Sequence, residues 1–283
     1  VQGIRAINPY INFASYDTDH NGTIEADELH LLVYQAGDEA SFYASSAPKA
    51  WAHMLWQTPA LSGLNPSSDS DGMRITSYCY AGSEFNGNQM ASMGVMTHEL
   101  GHDIGLPDLY DVNGNWDGLG SHCLMSSGSW GGDYGDTPVH LDGFFKSWLG
   151  WANVTTLTAP GHQPISLTAA NGSNKVLRVN IPGSTEFFII ENRQQTGFDA
   201  GLPGSDGGIA IYHCDGDILT DHNIRIARGI NDAYWNPGIQ LEEADGAPFN
   251  LMDTGDHNRG SDDDYFRAGN NTQARGFGHF EFC

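Results

Sequence analysis

The chain has 283 residues, 39% hydrophobic and 11% aromatic, with 35 acidic against 12 basic side chains and a formal net charge of −23. That length and apolar content suffice for a packed core. The acidity argues against a nucleic-acid ligand, and no apolar run reaches the roughly 18 residues that a membrane span needs.

Near the start, Asp17-Thr18-Asp19-His20-Asn21-Gly22-Thr23-Ile24-Glu25-Ala26-Asp27-Glu28 fits a calcium loop. Such a loop takes side-chain oxygens at positions 1, 3 and 5 (Asp17, Asp19, Asn21), the Thr23 carbonyl at 7 and a bidentate Glu28 at 12. Gly22 at position 6 permits the turn, and Ile24 can anchor in the core. One loop of this kind is a structural staple rather than a sensor, so part of the negative charge is assigned to Ca2+.

Further along, Leu29–Ala36 is apolar enough for a strand or short helix, and Trp51–Trp56 reads as part of a helix. Arg74–Tyr80 alternates as a strand, either an edge strand that pairs with an extended substrate or an internal strand of the sheet. Met90–Ile104 is the clearest helix, with Gly105 as its C-terminal cap and Pro107 preventing continuation. Residues 111–137 are too long and irregular to be structureless without a reason. Leu141–Trp148 is a second helix ending at Gly150. After Trp151 come short strands at Ile165–Leu167, Val176–Asn180, Phe187–Asn192 and Ile209–His213. The expected class is α+β: a catalytic portion over 1–151 with the calcium loop and an active-site helix, then a β-rich portion over 152–283 packed with it.

The helix over Met90–Ile104 carries His98-Glu99-Leu100-Gly101-His102. Residues four apart share a helix face, so both imidazoles reach one Zn2+, while Glu99 addresses the open side as general base. The motif continues through Gly105 to Asp108, giving HELGHDIGLPD, the metzincin pattern HExxHxxGxxH with Asp in the last place. Gly105 turns the chain off the helix so that Asp108 can be the third ligand. Met125 stands where metzincins carry a methionine turn.

These residues, with Leu124–Trp130, Lys146–Trp151, Phe187–Asp215 and Gln240–Gly246, resemble the immune inhibitor A family of secreted bacterial metzincins. The resemblance implies a zincin-type catalytic domain hydrolysing protein or peptide substrates. It also implies an extracellular location, a prodomain in the precursor, and His98, His102 and Asp108 as ligands with Glu99 as base. One departure stands out: Ser127 occupies the place where several metzincins have a Tyr, leaving Tyr110 and Tyr134 as nearby candidates for stabilising the oxyanion.

A second acidic stretch, with Asp253, Asp256, Asp262, Asp263 and Asp264, reads as a further calcium site or a solvated run. Cys79, Cys123, Cys214 and Cys283 fit no zinc spacing. Their even number favours two disulfides, with three pairings open, and buried thiols as the alternative. No signal peptide opens the chain, so a secreted protein starts at Val1 through processing. A monomer is expected. A calcium-dependent binding module with a vestigial metal site competes with the enzyme, but the intact Glu99 disfavours it; a small-substrate aminopeptidase is disfavoured by Gly105 and Asp108.

Overall fold

The computed structural model describes residues 1–41, 49–57, 61–85, 89–158, 165–221, 229–233, 235–245 and 259–267. It mixes helices and sheets, and the chain divides into two compact units, Val1–Gly105 and Leu106–Cys283.

The first unit contains α1 (Gln2–Ile7), β1 (Thr23–Ile24), β2 (Leu32–Glu39), β3 (Lys49–Ala50), β4 (His53–Trp56), α2 (Pro66–Asp69), β5 (Arg74–Ile75), β6 (Ser77–Phe85), β7 (Gln89–Met90) and α3 (Met93–Asp103). Its main sheet has the order β3-β2-β6-β4, with β7 pairing β6. The central position belongs to β6, which runs parallel to β2 and antiparallel to β4. Its small and aromatic alternation, SYCYAGSEF, suits a strand paired on both sides. α3 packs against β6 and β4. A separate cluster of Ile4, Phe13, Ile24, Leu61 and Ile75 closes the N-terminal segments, and Arg5 pairs with Asp69 at 2.9 Å.

Two expectations are decided here. Trp51–Trp56 is not helical: His53–Trp56 pairs with Ser77–Tyr80, so tertiary pairing overrides a composition of helix formers. Of the two alternatives for Arg74–Tyr80, the internal strand is the one observed and the edge strand is not. Arg74 and Ile75 pair with β1, Cys79 and Tyr80 pair with both β2 and β4, and the edge of the sheet is β4.

The second unit contains α4 (Gly143–Trp148), β8 (Asn153–Leu157), α5 (Ala170–Ser173), β9 (Lys175–Asn180), β10 (Phe187–Arg193), β11 (Gly208–Cys214), α6 (Gly216–Thr220) and β12 (Ile239–Leu241). Its sheet has the order β12-β11-β10-β9-β8. The central β10 is nearly all apolar at its start, FFII, as expected of a strand buried on both faces. Leu177, Phe188, Ile190, Ile211, Ala244 and Phe266 form one core cluster on this sheet. α4 is capped by Asp142, whose carboxylate accepts from the N–H groups of Phe144 and Phe145. Ile165–Leu167 forms no strand.

A buried ionic network sits within this unit. Arg193, fully buried, donates to Asp199 at 2.8 and 2.6 Å, to Glu191 at 3.2 Å and to the His122 carbonyl at 3.1 Å. Glu191 also pairs with the Lys146 ammonium.

The two-disulfide expectation fails. Cys79, Cys123 and Cys214 are buried free thiols, while Cys283 lies outside the described residues. Each is locally accommodated instead: Cys123 donates to Asp142 at 3.2 Å, Cys214 to the Tyr212 carbonyl at 3.8 Å, and Cys79 is buried within β6, paired on both sides. Burial raises all three thiols, Cys79 to about 12, where the negative charges of Asp103 and Glu99 add to the effect.

Candidate metal centre

Helix α3 buries Gly94, Val95, Met96, His98, Glu99, Gly101, His102 and Asp103. His98 and His102 stand one helical turn apart with ring centroids 4.8 Å apart and planes at 84°. The helix ends at Ile104, whose N–H donates to Leu100, and Gly105 follows with φ +94. A Cβ at Gly105 would meet nothing within 4 Å, so glycine is needed there for its backbone freedom and not for space. Before the helix, His30 Nδ1 lies 2.7 Å from the buried Asp103 carboxylate, which ties the last turn of α3 to the chain entering β2.

One ligand atom each from His98, His102 and Asp108 lies within 4.8 Å of the other two, and all three residues are buried. Zinc bonds of about 2.0–2.2 Å in a tetrahedron set donor atoms about 3.4 Å apart, so this triangle closes on an ion with small side-chain adjustments. Two imidazoles and one carboxylate are also a donor set suited to zinc and leave one coordination position open. Glu99, on the same helix beside His98, is 7% exposed.

The segment after Asp108 is irregular but heavily bonded. Leu109, Leu119 and Met125 are fully buried. Asp111, also buried, accepts from the N–H and side-chain amide of Asn113 and from the same groups of Asn115, so one carboxylate organises the whole turn. Those hydrogen bonds outweigh burial and hold the Asp111 carboxyl below its ordinary range. This is the reason a stretch so rich in Gly, Asn and Asp stays ordered. Ser127 opens a 3-10 turn, Ser127–Trp130, and Tyr134 is exposed at φ +55.

In the acidic loop, Asp17, Asp19 and Glu28 bring one carboxylate oxygen each to within 4.8 Å of the others. Gly22 has φ +82, and its N–H donates to Asp17 at 3.0 Å. Asn21 N–H donates to both Asp17 and Asp19, and Thr23 N–H to Asn21 Oδ1 at 2.7 Å. Ile24 is 1% exposed, the core anchor expected at position 8. Desolvation works to raise the Glu28 carboxyl, but the Thr18 N–H and hydroxyl and the N–H groups of Glu25 and Asp19 outweigh it and hold it at about 2.

The second acidic stretch is placed only in part. Asp253 and Asp256 lie outside the described residues, as does the side chain of Asp262. Asp263 pairs with Arg267 at 3.0 Å. Asp264 is buried and bonded to His122 at 2.8 Å and to the Ser261 N–H at 2.6 Å. The two groups described above are those found among the described residues with three or more clustered metal-ligand side chains.

The residues that sequence reasoning missed are the buried Arg193, His122 and Asn231 and the half-buried Asp232. Each has a partner far away in sequence, 71 residues for Arg193 and His122 and up to 143 for His122 and Tyr265, and no local pattern marks such pairs.

The chain is similar to known proteases. It is 33% identical over 250 aligned positions to the pre-pro-metalloprotease PrtV of Vibrio cholerae serotype O1, covering 78% of this chain and 25% of that protein. It is 29% identical over 165 positions to immune inhibitor A of Bacillus thuringiensis subsp. alesti, covering 52% of this chain and 23% of that protein. The chain thus spans about a quarter of the length of these curated relatives. No described helix is long and apolar enough to cross a membrane. Residues 5–153 match the immune inhibitor A peptidase M6 catalytic domain, and the chain belongs to that family.

Proposed function

We propose that the chain is a secreted zinc endopeptidase of the metzincin type, with zinc held by His98, His102 and Asp108. The observation that carries this reading is the convergence of those three side chains within 4.8 Å beside a buried Glu99. A bound zinc supplies Lewis acidity to the scissile carbonyl and lowers the pKa of water to about 7. Glu99 takes a proton from the attacking water and delivers it to the departing amine, which makes it both base and acid. Its burial keeps it close to the reacting atoms and screened from bulk solvent. The metzincin assignment is supported by the Gly105 turn and by Met125, fully buried, whose carbonyl accepts from the N–H of the residue after Asp108.

Substrate is a protein or peptide held extended along β4. The Gln57 N–H donates to the Thr76 carbonyl at 2.8 Å in register with the β4–β6 pairs. By the alternation of an antiparallel ladder, Met54 and Trp56 then turn their N–H groups away from β6. Among the described residues no strand pairs with that outer edge, so it can accept one more strand.

Calcium is assigned to Asp17, Asp19, Asn21, the Thr23 carbonyl and Glu28, where the loop spacing and the Gly22 turn support it. No calcium is assigned to Asp263 and Asp264, which are engaged by Arg267 and His122. Secretion and a precursor prodomain are part of this reading, supported by the similarity to a protein named a pre-pro-metalloprotease.

The deciding experiment is Glu99→Ala. Hydrolysis of casein should be lost while zinc content stays near one per chain. Casein turnover at the parental rate would refute the mechanism.

A further inference from the structure

The carbonyl of Leu109, the residue directly after Asp108, lies in the interior and is 122 residues in sequence from one of its donors. That donor is the side-chain amide of Asn231, at 3.0 Å. Asn231 is fully buried, and both ends of its side chain are used: Nδ2 donates to Leu109, and Oδ1 accepts from the Ile239 N–H at 3.1 Å. Its own carbonyl accepts from Trp116 Nε1 at 2.6 Å. The next residue repeats the connection, Asp232 Oδ1 accepting from the Val112 N–H at 3.1 Å.

A buried amide bonded at both ends has one orientation, because exchanging its oxygen and nitrogen would set donor against donor and acceptor against acceptor. Asn231 is in turn fixed to the start of β12 through Ile239. The amide therefore transmits the rigidity of the five-stranded sheet to the peptide that follows Asp108. The requirement for such a brace is physical: Asp108 stands on irregular chain just past Gly105, where no helix or sheet fixes its main chain. A carboxylate misplaced by about 1 Å loses its bond to a metal, since ligand distances vary by only about 0.2 Å.

We propose that Asn231 is a positioning residue for the Asp108 carboxylate, acting through the Leu109 carbonyl to hold the third metal ligand in place. This rests on the reading of Asp108 as a ligand. Asn231 lies outside the 5–153 segment that matches the family's catalytic domain. The β-rich portion is then part of the catalytic machinery and more than an appendage.

The test uses the full chain loaded with zinc, or with cobalt for its visible spectrum. Asn231→Ser removes the long amide but keeps a polar side chain. Zinc affinity by chelator competition should fall about tenfold, the low end of what outer-sphere partners contribute. The cobalt spectrum should shift, and kcat should fall more than KM. Tyr212→Phe is the matched control: it removes a buried hydroxyl bonded to Arg193 and Glu191 but touches neither Leu109 nor Asn231. Equal losses of metal affinity in the two variants would overturn the proposal, because general loosening would then explain both. Should Asn231→Ser not fold, Trp116→Phe decides, since it removes the Nε1 donor to the Asn231 carbonyl while keeping an aromatic ring in the interior. A smaller loss of affinity in that variant supports the proposal, and an unchanged affinity overturns it. Asp108→Ala separates the two levels of argument. If that variant keeps parental metal affinity, the ligand assignment fails; if it loses affinity while the Asn231 variant does not, only the positioning role fails.

Discussion

The N–H of Leu109 donates to the carbonyl of Met125 at 2.8 Å, and both residues are fully buried. On its other side the Leu109 carbonyl accepts from the Leu119 N–H at 3.0 Å as well as from Asn231. The residue after Asp108 therefore has its main-chain groups satisfied by three separate stretches of chain, a degree of fixing that an irregular segment rarely has. The methionine of the expected turn contributes through its backbone as much as through its side chain.

Gly118 tests how tightly this arrangement is packed. Its φ is +60, and an added Cβ would overlap the Leu109 carbonyl oxygen and the backbone of Tyr110. Neither contact is the end of a flexible side chain, so Gly118→Ala should destabilise the protein by about 3 kcal/mol or more. It should also weaken zinc retention in chelator. An alanine variant with the parental melting point would show that the loop yields freely.

Helix α3, the Gly105 turn and the Gly22 turn of the acidic loop were legible in sequence because each depends on neighbours within about a dozen residues. The helix expected over Met90–Ile104 is observed over Met93–Asp103. Trp51–Trp56 was misread because its helix-forming residues are recruited by β6, which lies more than twenty residues away. Arg74–Tyr80 was correctly extended, but strand order depends on β2 and β4 closing around β6, which no local pattern encodes. The cysteines misled in another way: an even count carries no geometry, and three of them are core thiols.

Calcium should stabilise the first unit. Asp17, Asp19 and Glu28 hold like charges within 4.8 Å, and a cation relieves that repulsion. A calcium-selective chelator that spares zinc should lower the melting midpoint by about 5 °C or more and hasten self-digestion. Glu28→Gln should melt at the lower temperature with or without chelator. A parental melting curve unchanged by chelator would leave the loop as a solvated turn.

Acid stability should depend on Asp199. Burial works to raise its carboxyl, but the Arg193 charge and hydrogen bonds, with the His140 N–H, hold it below the ordinary value. A carboxyl depressed in the folded state contributes stability above its unfolded pKa of about 3.9 and loses it as pH falls through the lower folded value. Asp199→Asn leaves the buried Arg193 short of one partner and should cost about 3 kcal/mol at pH 7. Its penalty should shrink below about pH 4, where the carboxyl of the unfolded parental chain takes up a proton before the folded one does. Denaturant melts across pH 3–7 check the sign: a penalty that grows toward acid would contradict this ionic assignment.

The last prediction concerns which strand receives substrate. Thr76 uses both sides of its main chain: its N–H donates to the Ile24 carbonyl at 3.2 Å, and its carbonyl accepts from Gln57. Its hydroxyl also donates to Ile24, at 3.1 Å. Thr76→Pro removes both donors and should unfold or strongly destabilise the protein, by about 3 kcal/mol or more, without a specific effect on KM. The outer edge of β4 should behave differently. Met54 turns its N–H away from β6, so proline there removes no bond of the sheet and is the substitution an edge strand tolerates. If a substrate carbonyl accepts from that N–H, Met54→Pro should raise KM roughly fivefold, the equivalent of one main-chain bond of about 1 kcal/mol. Met54→Ala, which keeps the N–H, should leave KM near the parental value and so corrects for the lost side chain. The melting midpoints of both variants should stay close to each other. Equal KM values for Met54→Pro and Met54→Ala would remove β4 as the substrate strand and leave the peptide to be held elsewhere.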